Sequence, residues 1–271
     1  NRGTVFTKEE RRALRLEGLL PPAVESLGQQ AARVLRQLRD ECTSPLERYA
    51  RLAWLAASNI TLFYHVLMEN LEELAPVVYT PTVGEACQKF SAAYRTPQGM
   101  FFDARGDAGR FGHLLRNWPN HNVQIIVITD GSRILGCVGF SLESRVALGS
   151  SGFFFFFLPR AETKRKETEI SKKQKTRNSF RNSLGDLGIG GLGISAGKIQ
   201  LYVGGAGFHP EHAMPVILDA GTNRQSLLED PSYLGVREPR LGDEDHMKAV
   251  VEFCDAVKER FPDALVQFED F

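Results

Sequence analysis

The chain has 271 residues, 42% of them hydrophobic and 24% charged, with 33 Lys+Arg against 33 Asp+Glu. That length holds one large domain or two ordinary ones, and that balance excludes a disordered chain. A formal net charge of zero gives no pull toward nucleic acid or an anionic membrane, so neither partner is expected; nor does any apolar run approach the roughly 20 residues that a bilayer span needs.

Residues 1–97 read as a helical N-terminal domain. Asn1 stands where Met would, so the true N-terminus and any targeting peptide are expected upstream. Thr7 and Glu10 match a capping box, and Gly18 with Pro21-Pro22 marks a stop. Ser44-Pro45-Leu46-Glu47 combines a cap, Pro in the first turn and Glu at N3, and Leu52, Leu55, Leu62 and Val66 follow at helical spacing. Pro76 and Pro81 predict a break that leaves Tyr79 on an extended link between two helices. Thr82 and Glu85 open the second of these, which carries Cys87 and Phe90.

Residues 98–271 read as a partial α/β domain with a mostly parallel sheet, so the expected fold class is α+β and α/β. The run 123–129 is β-branched and apolar on both faces, as buried parallel strands are, and Asp130-Gly131 ends it. Residues 215–219 and 264–268 predict further strands, with a helix over 247–260. The stretch 137–183 fits neither pattern: five phenylalanines (153–157) precede Lys164-Arg165-Lys166 and Lys172-Lys173-Gln174-Lys175 without an apolar period. It predicts a low-complexity insertion; a basic tract that binds phosphate or nucleic acid is the alternative. Cys42, Cys87, Cys137 and Cys254 lie far apart with no C-x-x-C pair, which argues against structural zinc and a disulfide framework and predicts a reducing, intracellular compartment.

Several residue types carry chemistry. Gly188, Gly190 and Gly193 satisfy G-x-G-x-x-G, but Arg181-Asn182-Ser183 is no strand running into them, so the dinucleotide fingerprint lacks its context. Gly197-Lys198 fails the phosphate-loop pattern, because Ile199 replaces the required Ser or Thr. Lys198, following this glycine turn, is a candidate general base where a cleft desolvates it, with an ordinary surface lysine as the alternative. Tyr79 is a candidate proton donor, set against a buried structural tyrosine. Arg133, just past the strand-ending turn, is suited to clamp a carboxylate bidentately. His209 and His212 flank Pro210 and read as a loop or helix start, not a metal pair. Finally, an apolar strand delivers Glu269 and Asp270 to its carboxyl end, where open α/β sheets gather ligands. Mg²⁺ and Mn²⁺ want about six oxygens, so two carboxylates make part of a metal site and the chain reads as cut through it; a solvated acidic terminus is the alternative.

These residues lie in segments that occur in order along the chain: Gly18-Leu19-Leu20-Pro21-Pro22, Leu62-Phe63-Tyr64, Val77-Val78-Tyr79-Thr80-Pro81-Thr82-Val83-Gly84-Glu85-Ala86-Cys87-Gln88, Thr129-Asp130-Gly131, Arg133-Ile134-Leu135-Gly136, Leu184-Gly185-Asp186-Leu187-Gly188, Gly197-Lys198, Asp219-Ala220-Gly221-Thr222-Asn223 and Gln267-Phe268-Glu269-Asp270-Phe271. Together they resemble the N-terminal half of malic enzyme, which oxidises malate and decarboxylates the product to pyruvate. The resemblance covers nearly the whole chain except 137–183. It implies that Tyr79 is the general acid, Lys198 the general base, Arg133 a malate-carboxylate ligand, and Glu269 and Asp270 two of three carboxylates on Mg²⁺ or Mn²⁺. The base would take the malate hydroxyl proton as hydride leaves for NAD or NADP, the metal would polarise the keto oxygen for CO₂ loss, and the acid would protonate the enol. It also implies a homo-oligomer, and a cytosolic, mitochondrial or plastid location.

Three departures stand out. The family's nicotinamide-binding domain and third metal carboxylate would follow Phe271, so the main cofactor site is expected outside this chain, which alone should be inactive. Removing 137–183 would restore a continuous Ile134-Leu135-Gly136-Leu184-Gly185-Asp186-Leu187-Gly188. Ser58, beside Asn59, stands where many malic enzymes carry an Arg for fumarate activation. A non-catalytic fragment that acts only in assembly with full-length subunits is the alternative function, and a basic-tract binding module over 160–181 a second.

Overall fold

The computed structural model describes residues 2–135 and 183–271; the expected insertion lies outside them apart from Ser183. Contacts group the chain into two units, Asn1–Ala86 with Gln200–Phe208, and Cys87–Ile199 with His209–Phe271. The sequence reading sets this boundary after residue 97, whereas the contacts set it between Ala86 and Cys87.

In the first unit, helices begin where their caps say. Thr7 and Glu10 form the full capping box of α1 (Lys8–Ala13). Ser26 and Gln29, which the sequence reading passed over, do the same for α2 (Leu27–Asp40). Ser44 Oγ accepts from the Glu47 N–H to start α3 (Pro45–Ser58). The apolar run through Val66 is two helices, not one: Asn59 ends α3 and its side chain caps α4 (Ile60–Glu69) by accepting from the Leu62 N–H at 3.1 Å. Pro76 does not break a helix but sits inside α5 (Leu71–Val78). The carbonyl that loses its partner there belongs to Glu72, and both residues are exposed, so no buried group is stranded. Tyr79 then stands extended (φ −131°, ψ −150°) before α6 (Thr82–Gln88), so the predicted link exists but is only three residues long. Phe90 is not on that helix; it opens a separate turn, α7 (Phe90–Ala93). Leu38, Leu52, Phe63, Val66, Leu67 and Leu74 fill the core of this unit, with Leu201 packed against it.

Arg11 organises the N-terminal segment. Its side chain is buried, and its guanidinium donates to the carbonyls of Phe6 (2.8 Å), Pro21 (2.7 Å), Thr4 (2.9 Å) and Ala23 (2.9 Å). Four peptide oxygens thus share one cation, whose fork geometry suits several acceptors at once.

The second unit is built on a four-stranded sheet, all parallel, in the order β1 (Met100–Asp103), β3 (Ala213–Asp219), β2 (Ile125–Thr129), β4 (Leu265–Phe268). β2 and β3 are the inner strands and are buried at every residue, which is why their sequences are apolar on both faces. β1 escaped the sequence reading because four residues are too few to show a period. One face packs on α8 (Phe111–Leu115) and α11 (Asp243–Arg260) through Phe102, Phe111, Phe253 and Val257. The other face carries Ile217 against Ile189, Leu192 and Tyr233. Between β2 and β3 in sequence lies α9 (Leu192–Ala206), and after β3 the short α10 (Gln225–Leu228). Cys42, Cys87 and Cys254 are buried free thiols, and no helix among the described residues is long and apolar enough to cross a membrane.

Replacing Arg11 by Ala should destabilise the chain by roughly 2–3 kcal/mol, the scale for stranding buried polar groups. Urea denaturation measures this, and a change below about 0.5 kcal/mol, typical of a surface substitution, would contradict the role given to Arg11.

Candidate active site

Because all four strands run the same way, their carboxyl ends share one edge, and each delivers an acid there: Asp103 from β1, Asp130 after β2, Asp219 from β3, and Glu269 with Asp270 after β4. The Glu269 N–H donates to the Ile128 carbonyl at 2.9 Å, extending the β2–β4 ladder and fixing where both side chains start. Glu269 Oε1 lies 3.1 Å from Lys198 Nζ, with side-chain exposures of 16% and 22%, and also accepts from the Gln267 amide. Asp270 takes a left-handed backbone (φ 52°), and its Oδ2 accepts from the Leu135 N–H at 2.8 Å. Burial pushes the Asp270 carboxyl up to about 6; the Leu135 N–H opposes this and the neighbouring Glu269 charge reinforces it.

Lys198 reaches that edge from a helix. The glycine-rich stretch is a 3₁₀ turn (Gly188–Gly191) that leads straight into α9, so Gly197 and Lys198 lie within a helix and do not follow a turn. Burial of Leu192, Ile194, Ala196, Ile199 and Val203 outweighs the low helix propensity of the glycines. Gly131 shows why small residues recur here: with φ 71° it lies so close to the Gly188 carbonyl that a Cβ would collide with it.

Asp130 is one of the two buried acids of the set. Its carboxylate accepts from Arg240 Nη1 at 3.2 Å and the Ser132 N–H at 2.9 Å, with His246 Nε2 3.1 Å away. Burial alone would raise it, but His246, Arg240 and Ser132 together hold it below the usual carboxylate range. The other arm of Arg240 donates to Asp186 Oδ1 at 2.9 Å, and Asp186 also accepts from the N–H groups of Gly188 and Asn223. Among the described residues Asp219 has no ion pair of this kind; burial raises it, against N–H groups from Val236 (2.8 Å) and Gly221 (3.0 Å).

The structure therefore brings Lys198, Glu269 and Asp270 together and leaves Arg133 exposed between buried Gly131 and buried Ile134. Tyr79 belongs to the first unit, half-buried at the end of α5. His209 accepts from the Glu211 N–H at 3.3 Å to open a 3₁₀ turn over Pro210–His212, the loop or helix start expected there. Asp186 stands in a matched segment without a role there, and Arg240 and His246 were invisible to motif reading, since Arg240 lies 110 and 54 residues from the two carboxylates it joins.

Among the described residues, no group of three His, Cys, Asp or Glu side chains converges as a cation site. Glu269 and Asp270 nevertheless fit part of one. Both offer hard carboxylate oxygens of the kind Mg²⁺ and Mn²⁺ take, and the buried Asp270 charge would gain from a cation beside it.

The family model for the N-terminal domain of malic enzyme matches residues 56–144 and 183–271, leaving out 145–182. The chain is 44% identical over 270 residues to an NADP-dependent malic enzyme of Dictyostelium discoideum, covering 100% of this chain and 41% of that protein. It is 40% identical to a mitochondrial NAD-dependent malic enzyme of Solanum tuberosum, covering 37% of it, and 40% identical to an NAD-dependent malic enzyme of Salmonella arizonae, covering 39%. The chain thus spans about two fifths of the length of these relatives.

Residues on either side of the expected insertion at 137–183 are clamped together: Ile134 N–H donates to the Gly185 carbonyl at 3.0 Å, and Leu184 N–H to the Ile134 carbonyl at 2.9 Å. In a chain with Gly136 joined directly to Leu184, the second bond becomes the i+3 to i bond of a β-turn. Deleting 137–183 should therefore leave a cooperative thermal transition at an equal or higher Tm; loss of that transition would show that the stretch is needed for folding.

Proposed function

Since the chain belongs to the malic enzyme family, we propose that it supplies the acid–base and metal-side residues for the oxidative decarboxylation of malate to pyruvate and CO₂. The observation that carries this reading is the Lys198–Glu269 pair beside Asp270 at the carboxyl edge of the parallel sheet. In its neutral form Lys198 Nζ accepts the proton of the C2 hydroxyl, and its place on α9 keeps it at the edge where substrate would lie. Arg133 pairs with a substrate carboxylate from its exposed position after the Asp130-Gly131 turn. Tyr79 Oη returns a proton to C3 once CO₂ has left.

Glu269 and Asp270 would hold Mg²⁺ or Mn²⁺, which supplies Lewis-acid polarisation of the C2 oxygen when bound. The names of the relatives support NAD or NADP as the hydride acceptor. The remaining ligands of the metal and the nicotinamide site are assigned to residues outside this chain, and the chain alone is expected not to turn over malate.

The test is a chimera that continues after Phe271 with the corresponding remainder of the Dictyostelium NADP-dependent enzyme. With malate, Mn²⁺ and NADP⁺ it should turn over. Lys198→Ala and Tyr79→Phe should each lower kcat by about 10²-fold or more, the usual range for a lost general acid or base, with Mn²⁺ affinity retained. Arg133→Ala should act mainly on KM, and Glu269→Gln with Asp270→Asn should abolish Mn²⁺ binding. An active chimera indifferent to Lys198→Ala would refute the base assignment.

A further inference from the structure

Asp130 is buried within the electrostatic reach of Asp270, and its own carbonyl begins the loop that carries Arg133 and Leu135. Left to itself, a third carboxylate on this edge would repel the pair after β4. Arg240 answers that charge with one guanidinium. Nη1 donates to both the Asp130 side chain and the Asp130 carbonyl, each at 3.2 Å, while Nη2 donates to Asp186 at 2.9 Å. The Arg240 backbone N–H donates to the Asn223 side chain at 3.1 Å, and the Asn223 N–H returns to Asp186 at 2.8 Å. Its side chain is only 13% exposed, so these bonds form largely out of water.

We propose that Arg240 is a positioning residue for the metal-side carboxylates: by locking the Asp130 turn to the Asp186 loop, it aims the Leu135 N–H at Asp270 and sets the base of the Arg133 loop. The proposal rests on the metal-side reading of Glu269 and Asp270. The link is covalent and short. Asp130 and Leu135 are five positions apart, the Leu187 N–H donates to the Gly131 carbonyl at 2.9 Å, and Ile134 pairs with Gly185. Both strands of this small junction are thus gripped at one end by Arg240 and at the other by the Ile134–Gly185 bridge. A fork with two arms is needed, because the two carboxylates come from different loops. Lysine carries the charge but presents a single point, and can satisfy one loop at a time.

Hydrogen exchange on the described chain separates this role from a general contribution to stability. In Arg240→Ala, the amides of Ile134, Leu135 and Leu187 should exchange at least about tenfold faster, while those of Ile126 and Val216 in the inner strands stay unchanged. Arg240→Lys should fall between the two. A uniform rise across the second unit, or no rise at Leu135, would overturn the proposal. Should Arg240→Ala fail to fold, Arg240→Lys and Asp186→Asn report on the same amides with the same expectation. Mn²⁺ titration of the wild-type chain, followed by electron paramagnetic resonance, keeps the two readings apart. Binding that weakens about tenfold in Arg240→Ala extends the positioning role to the metal. No Mn²⁺ binding by the wild type, with the exchange pattern intact, removes the metal-side reading and leaves Arg240 as the lock of this junction.

Discussion

A parallel sheet cannot scatter its carboxyl ends, and here those ends are acidic. Five carboxylates on one edge repel each other, and two unit charges 4 Å apart at an effective dielectric near 20 already cost about 4 kcal/mol. The surrounding structure answers that repulsion. Lys198 is set against Glu269, Arg240 and His246 against Asp130, and main-chain N–H groups against Asp219 and Asp270. The answer is incomplete at Asp270, whose carboxyl stays raised to about 6. The cation proposed above for Glu269 and Asp270 would add positive charge at this point.

Close approach of backbones is the second constraint, and it follows from the first. Two loops must come together for one guanidinium to reach both Asp130 and Asp186, and side chains between them would hold them apart. Gly131, Gly188 and Gly191 remove that obstacle: an added Cβ on Gly191 would sit 2.7 Å from the Gly131 Cα. Gly188, one of the three glycines of the dinucleotide-like pattern, therefore serves packing inside the protein. It abuts the carboxyl edge through contacts with Gly131 and Tyr233, whose hydroxyl accepts from the Ile189 N–H at 3.1 Å.

Local signals carried well where the physics was local. The capping box at Thr7 and the cap at Ser44 close within three residues, and the runs in β2 and β3 announce burial on both sides by composition alone. Where the deciding interaction was distant, the local reading failed. Pro76 stays helical because its helix is held by core contacts at Leu74, Val77 and Val78. Gly197 and Lys198 stay helical because the apolar residues around them are buried. β1 is a strand only because β3 is there to pair with it.

By itself, the order of residues determined the family of this chain, the identity of its acid, base and carboxylate candidates, and the two inner strands. Those depend on residue type and near-neighbour spacing, which a linear string preserves. Only the tertiary structure decided which candidates meet. Lys198 and Glu269 are 71 positions apart and form a pair at 3.1 Å, while Arg240 shows no motif at all yet ties two loops at that edge. Such contacts are set by strand order and helix packing, and these depend on the balance of burial over the whole unit, not on any stretch of it.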